Sequence, residues 1–181
     1  MTENPWITHS TEVGYENQWI RVDHNTVTTP GGSPGIYGVV RFKNKAIGVL
    51  PIDAEDHTWL VGQYRYTLDV YSWEIPAGGS PEGEEGIDTA QRELLEETGL
   101  RAQTWTPLLT EVQLTNSVTD ELAWCWVATD LTQHAAEPED TEDLQVRRLP
   151  VDDAIQMVLD GEIKDAFTVM SFLRLHANRV G

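Results

Sequence analysis

One segment, from Glu74 to Leu100, restricts the possible folds of this chain more than any other. Its sequence is EIPAGGSPEGEEGIDTAQRELLEETGL, and the spacing of its apolar residues predicts a helix from about Gly86 to Thr98. Gly99 supplies a residue that adopts the left-handed conformation at low cost just past the helix end, and Leu100 supplies the apolar contact that often follows. The segment therefore predicts a loop, a helix and a turn in direct succession.

The predicted helix carries three carboxylates close together. At 100° per residue, Glu93 and Glu97 lie roughly 40° apart and Glu96 lies roughly 60° from Glu93. Like charges four residues apart cost roughly 0.2–0.5 kcal/mol on a helix, so a positive partner is expected. Carboxylate oxygens suit hard cations, and Mg²⁺ keeps water and substrate phosphates in its remaining positions. We expect the three carboxylates to share an exposed edge and to bind a divalent cation.

Length and charge limit the class of protein. A chain of 181 residues with 40% hydrophobic content suits one domain, and we expect residues 1–181 to form it. The formal charge of -18 repels phosphate backbones and anionic lipids, so we expect no nucleic acid or membrane partner. The lone cysteine, Cys125, lies in an apolar run and is interpreted as a buried, inert thiol of a cytoplasmic protein.

Apolar and alternating runs in the rest of the chain predict an α/β fold. Strands are predicted at 19–27, 35–42, 46–52, 58–66, 105–114 and 122–131. Two further helices are predicted from about Asp152 to Leu159 and from about Asp165 to His176, with Asp152 and Asp165 as N-caps. The acidic residues 135–143 lack periodicity and are predicted to form a loop.

The Glu74–Leu100 segment resembles the signature of the Nudix hydrolases, G-x5-E-x7-R-E-U-x-E-E-x-G-U, where U is a bulky apolar residue. The matching positions are Gly78, Glu84, Arg92, Glu93, Leu94, Glu96, Glu97, Gly99 and Leu100. The resemblance implies an α/β/α sandwich with a mixed β-sheet and an N-terminal β-strand extension. It also implies hydrolysis of a nucleoside diphosphate linked to another group, with Mg²⁺ or Mn²⁺ as cofactor.

The same resemblance assigns roles to individual residues. Glu93 and Glu97 become the principal metal ligands, Glu96 an additional catalytic ligand, and the backbone carbonyl of Ala77 a further ligand. Glu84 and Arg92 become an ion pair that fixes the loop to the helix, a pairing that their charges alone also suggest.

Further motifs resemble the ADP-ribose and ADP-sugar pyrophosphatases, one branch of the family. These motifs are VGQYRY, WEIPAGG and the tail VLDGEIKDAFTV. By this likeness Arg65 contacts a substrate phosphate and Glu74 also lies at the substrate. The acidic loop supplies a metal ligand, Glu142, and the catalytic base, Glu139 or Asp140.

The substrate implied is a nucleoside diphosphate sugar, cleaved to a nucleoside monophosphate and a sugar phosphate. The base and the sugar stay open, because the chain has QLTNSVTDE where ADP-ribose pyrophosphatases commonly have a proline. Glu121 in that segment is expected to shape the site, and Trp19 is a candidate for stacking on the base. The branch also implies a homodimer, with residues 1–45 in the dimer contact.

Two alternatives remain open at this point. One is another Nudix activity, on RNA 5′ ends or on oxidised nucleoside triphosphates. The other is a binding or regulatory module that keeps the fold without catalysis. The WEIPAGG context and the charge of -18 argue against RNA, and the intact RELLEE sequence argues against a module without metal chemistry.

Overall fold

The structure is a computed structural model that describes residues 3–135 and 144–180. The chain separates into two compact units. The first comprises Met1–Asn44 and Gln113–Leu122, and the second comprises Lys45–Val112 and Ala123–Gly181. None of the helices in the described part of the chain is both long and apolar enough to cross a membrane.

The first unit is built on a three-stranded antiparallel sheet in the order β1-β2-β3. Its strands are β1 (Ile7–Glu16), β2 (Ile20–Thr28) and β3 (Pro34–Phe42). Every residue of β1 is exposed, whereas β2 buries alternate residues, as expected of a strand with one covered face. Strand β1 is therefore an edge strand with a solvent-accessible backbone.

The second unit contains two sheets and three helices. One sheet has the order β7-β4-β9-β8 and the other the order β10-β5-β6. Strand β4 runs parallel to β9 and antiparallel to β7, so the predicted mixed sheet is confirmed. The strands are β4 (Lys45–Pro51), β5 (His57–Arg65), β6 (Val70–Glu74), β7 (Ala77–Ser80), β8 (Leu100–Gln113), β9 (Leu122–Gln133) and β10 (Gln145–Pro150). The helices are α1 (Gly86–Thr98), α2 (Val151–Leu159) and α3 (Ala166–Val180).

Helix α1 packs on the four-stranded sheet through its apolar residues. Ala90 and Leu94 are fully buried and share a cluster with Ile47 and Val49 of β4. The predicted bounds of α1 are confirmed, and Gly99 has a φ of 70° in the left-handed region. Because its apolar stripe is buried on β4, the helix cannot rotate about its axis. The packing therefore determines which of its other residues face β4 and β7.

The two later helices differ from prediction at one end each. Helix α3 continues to Val180, beyond the predicted end at His176. Helix α2 begins at Val151 with Pro150 as the N-cap, so the prediction of Asp152 as N-cap is wrong. The fixed φ of proline suits a helix start, and Asp152 lies in the first turn, where its charge favours the helix dipole. The cap role of Asp165 is confirmed, because its Oδ2 accepts a hydrogen bond from the Thr168 N–H at 2.8 Å.

The lone cysteine is fully buried in β9, as predicted, and burial raises the pKa of the Cys125 thiol to about 12. A thiol reacts through its thiolate, so we expect no measurable reaction of native Cys125 with a disulfide reagent such as DTNB at neutral pH. Full reaction is expected after unfolding in guanidinium chloride. A Glu12→Cys variant on the exposed strand β1 serves as the positive control. Rapid labelling of the native wild-type protein would contradict this prediction.

Candidate active site

The carboxylates of α1 lie against the protein and not on an open edge. Glu93 is 8% exposed and Glu97 is 3% exposed, whereas Glu96 is partly exposed. The predicted exposed edge is therefore wrong for the two principal candidates. The reason is that α1 packs against β7 as well as β4, which covers the helix face next to the apolar stripe.

Glu97 contacts the backbone at the start of β7. The N–H of Ala77 donates a hydrogen bond to Glu97 Oε2 at 3.0 Å. The structure therefore brings together two of the residues that the sequence assigned to the metal, although they are twenty positions apart. The hydrogen bond also fixes the direction of a carboxylate that is almost completely removed from solvent.

Glu93 occupies the space above the next residue of β7, Gly78. A Cβ atom built on Gly78 would lie 1.9 Å from Glu93 Oε1 and 2.0 Å from its carboxyl carbon. No side chain larger than hydrogen fits between the strand and this carboxylate. The glycine of the signature is thus required for the position of an acid fifteen residues later.

Arg92 is a cation shared by two acids of α1 and one acid of the preceding loop. Its guanidinium lies 3.5 Å from Glu84, 2.7 Å from Glu93 and 3.0 Å from Glu96, measured between nitrogen and carboxylate oxygen. The expected pairing of Arg92 with Glu84 is confirmed. Burial alone would lower the pKa of Arg92, but the charge of Glu93 and the hydrogen bonds to the three acids outweigh it and raise that pKa.

The residues present fit a divalent cation. Three carboxylates, two of them on α1, share one guanidinium, and the buried Glu97 adds a third acid to the helix. Removing acids from water is costly unless positive charge accompanies them. All the donor atoms are oxygens, which suit Mg²⁺ or Mn²⁺. Glu93 and Glu97, with Glu96 and the Ala77 carbonyl, are the groups that would hold such an ion.

A second group of candidate ligands lies elsewhere in this unit. Asp53, Glu55 and His57 bring ligand atoms within 4.8 Å of one another. Arg148 already donates hydrogen bonds to Asp53 Oδ2 at 2.6 Å and to Glu55 Oε2 at 2.6 Å. Arg148 is shared by two carboxylates, whereas Arg92 is shared by three, so the Asp53 group has more positive charge for each acid and is the poorer cation site.

Arg65 and Glu74, both assigned to the substrate, form an ion pair with each other. Arg65 Nε donates to Glu74 Oε1 at 2.9 Å, and Arg65 Nη2 donates to Glu74 Oε2. Burial would raise the pKa of Glu74, but the hydrogen bonds and charge of Arg65 outweigh it and lower that pKa. The hydrogen bond to Glu74 is the main cause of a raised pKa of Arg65, and the charges of Asp165 and Glu97 raise it further.

The remaining assigned residues lie in the first unit or outside the described residues. Trp19, which is 60% exposed, and the partly buried Glu121 belong to the first unit. Their contacts with substrate stay predictions. Glu139, Asp140 and Glu142, the assigned base and metal ligand, lie outside the described residues.

Comparison with known proteins agrees with the signature. Residues 42–170 match the model of the NUDIX domain, and residues 6–40 match that of the nucleoside diphosphate sugar hydrolase N-terminal domain. The chain therefore belongs to the Nudix family, and it is a Nudix pyrophosphatase.

Individual relatives agree with this assignment. An ADP-ribose pyrophosphatase of Mycobacterium tuberculosis is 31% identical over 100% of this chain and 88% of its own length. A methanol dehydrogenase activator of Bacillus methanolicus is 30% identical over 91% of this chain and 89% of its own length. A crystal structure of an ADP compounds hydrolase superposes with a TM-score of 0.86 at 21% identity, covering 98% of this chain and 95% of that one. The predicted family and fold class are confirmed.

The charge of α1 leads to a prediction about stability. A cation that binds the folded state alone should stabilise it by about 2.7 kcal/mol at a hundredfold excess over its Kd, and should raise the melting temperature. We expect the double variant Glu93→Gln, Glu97→Gln to melt no lower than wild type without metal, because amides avoid the burial of charge and the amide oxygen at position 97 can still accept the Ala77 N–H. It should gain little from Mg²⁺. Calorimetry at constant, high ionic strength separates this effect from general screening.

The control for that experiment is the double variant Glu82→Gln, Glu85→Gln, which changes the same net charge at two exposed residues before α1. Its melting temperature should rise with Mg²⁺ as much as that of the wild-type protein. Equal stabilisation of all three proteins by Mg²⁺ would place the cation away from Glu93 and Glu97.

Proposed function

We propose that this Nudix enzyme uses Mg²⁺ or Mn²⁺ at α1 to hydrolyse the pyrophosphate bond of a nucleoside diphosphate sugar, with a nucleoside monophosphate and a sugar phosphate as products. The observation that carries the proposal is the placement of two buried acids on the backbone of β7, Glu93 over Gly78 and Glu97 on the Ala77 N–H. These oxygen ligands would hold a divalent cation, and the cation together with the nearby arginine would attract a negatively charged diphosphate.

Different residues would bind the cation, orient its ligands and bind the substrate phosphate. A bound divalent cation supplies the positive charge that neutralises the diphosphate and polarises water for attack at phosphorus. Glu93, Glu97 and Glu96 hold that charge, and Arg92 keeps the neighbouring carboxylates in place through its three ion pairs. Two nitrogens of Arg65 are fixed by Glu74, and its further N–H groups can donate to a substrate phosphate.

The proton of the attacking water is assigned to Glu139 or Asp140, and Glu142 is assigned as an additional metal ligand. All three come from the acidic stretch that follows β9 in the sequence. A carboxylate can serve as the base that accepts the proton of the water, and this stretch contains several. The assignment of these roles to Glu139, Asp140 and Glu142 rests on the family resemblance alone.

The substrate class is supported by the N-terminal part of the chain. Residues 6–40 match a domain named for nucleoside diphosphate sugar hydrolases, and a relative that covers the whole chain is named as an ADP-ribose pyrophosphatase. RNA is disfavoured because a formal charge of -18 repels a long phosphate backbone. A cytoplasmic location, argued from the lone buried cysteine, belongs to the same proposal.

The proposal is tested by hydrolysis assays with identified products. The substrates are ADP-ribose, ADP-glucose, UDP-glucose, GDP-mannose, the nucleoside triphosphates and capped RNA, each with Mg²⁺ and with Mn²⁺. A nucleoside monophosphate and a sugar phosphate are the expected products. Release of pyrophosphate from RNA or from a triphosphate, without cleavage of any sugar nucleotide, would reject this substrate class.

Glu97→Gln should lower kcat by orders of magnitude while the protein stays folded, because it removes a charged ligand but keeps an acceptor for the Ala77 N–H. The matched control is Glu85→Gln, the same substitution at the exposed N-cap residue of α1. Its side chain makes no capping hydrogen bond, so this variant should keep kcat within about twofold of wild type. Near-normal turnover of Glu97→Gln at saturating Mg²⁺ would remove Glu97 from the site.

The proposal includes a homodimer formed through the N-terminal strands. Strand β1 exposes all ten of its residues, including the large apolar side chains of Ile7, Val13 and Tyr15, each more than half exposed. A long exposed edge strand has unpaired backbone groups that favour pairing with another strand. A second copy of the chain would cover both the edge and these side chains.

We expect the wild-type protein to sediment as a dimer at micromolar concentration, and Val13→Glu with Tyr15→Glu to shift it to monomer, since two buried charges per subunit would oppose the contact. Leu159→Glu is the control, because Leu159 is 57% exposed at the end of α2 and lies outside the proposed contact. A monomeric wild type, or a double variant that remains dimeric, would reject this interface.

A further inference from the structure

A two-residue connection joins the two halves of the candidate site. Ile75 and Pro76 link β6, which ends at Glu74, to β7, which begins at Ala77. These strands belong to different sheets of the second unit. The position of this crossover therefore determines both the partner of Arg65 and the backbone that contacts Glu97.

The polar backbone groups of the crossover have defined partners. The N–H of Val49 donates to the Pro76 carbonyl at 2.9 Å, and the N–H of Ala77 donates to Glu97 at 3.0 Å. On the other side of the proline, the Ile75 N–H donates to Thr168 Oγ1 at 3.1 Å. The last contact comes from α3, ninety-three residues later in the chain, and joins buried atoms.

The Thr168 hydroxyl is oriented to accept this bond. It donates its single proton to Asp165 Oδ2 at 2.7 Å, and the Thr168 N–H donates to the same oxygen at 2.8 Å. With its proton committed to Asp165, the hydroxyl presents its lone pairs to Ile75. The side chain of Thr168 is completely buried, so water cannot replace it without a rearrangement.

Apolar packing also restrains the crossover formed by Ile75 and Pro76. In the β4–β7 pairing, Gly48 lies opposite Ala77. A Cβ on Gly48 would lie 2.7 Å from Ile75 Cδ1 and 2.8 Å from Phe167 Cε1. Ile75 of the crossover and Phe167 of α3 thus lie on the same side of Gly48, beside the hydrogen bond from Ile75 to Thr168, and a side chain at position 48 would displace one of them.

We propose that Thr168, oriented by Asp165, is a positioning residue that sets the affinity of the metal site through Ile75. Loss of its hydroxyl leaves a buried Ile75 N–H without an acceptor, and the crossover must then move toward another partner. Because Ala77 directly follows this crossover, the movement changes its contact with Glu97. The inference rests on the proposed metal site at Glu93 and Glu97.

The test measures Mn²⁺ binding to the protein without substrate, by the loss of the free-ion EPR signal. Thr168→Val keeps the shape but removes the acceptor, and we expect the Mn²⁺ Kd to rise about tenfold, as for other residues that orient metal ligands. Thr168→Ser keeps the hydroxyl and should return the Kd to within about twofold of wild type.

The matched control is Thr58→Val on β5. Thr58 is also fully buried, and its Oγ1 has no hydrogen-bond partner among the described residues. This variant should leave the Mn²⁺ Kd unchanged. A folded Thr168→Val protein that binds Mn²⁺ as wild type does would overturn the proposal, and so would an equal loss of affinity in Thr58→Val.

Asp165→Ala provides a second, independent test, because it keeps the threonine and removes the acceptor that orients its hydroxyl. A raised Mn²⁺ Kd in the folded variant supports the proposal, and an unchanged Kd contradicts it. If neither Thr168→Val nor Asp165→Ala folds, the two residues are structural and the proposal is rejected. Failure of the wild-type protein to bind Mn²⁺ would instead reject the metal site itself.

Discussion

The contact between α1 and β7 is the constraint on which the site depends. A carboxylate of the helix lies over Gly78, and another accepts a hydrogen bond from Ala77. Neither arrangement survives a shift of the helix by one residue, because the buried stripe of Ala90 and Leu94 would then leave the core. Packing energy supplied by apolar residues thus fixes acids that would otherwise move apart.

Much of this arrangement could be predicted from the sequence, but the burial of Glu93 and Glu97 could not. Periodicity and Gly99 indicated the bounds of α1, since both are local signals. A helical projection shows which residues share a face, but does not show what covers that face. Strand β7 has the sequence AGGS, which carries no alternating pattern, so the element that buries Glu93 and Glu97 had no signal of its own.

The other differences between prediction and structure also concern contacts that depend on how strands and helices pack. The pairing of Arg65 with Glu74 depends on the hairpin of β5 and β6, and only the first of these strands has a recognisable pattern. The link from Thr168 to Ile75 spans ninety-three residues and has no signal in either segment. By contrast, the pair of Glu84 and Arg92 was predictable because both residues belong to one short motif.

In this site the burial of the carboxylates opposes the ionisation that cation binding requires. Glu93 and Glu97 are removed from water, which disfavours their ionised forms, yet only ionised carboxylates bind a cation well. Arg92 compensates part of this cost through its contact with Glu93, but it also serves Glu84 and Glu96. A divalent cation held by Glu93 and Glu97, as proposed above, would favour the same ionised forms. Because such an ion would bind the folded protein and not the unfolded chain, its binding would stabilise the fold.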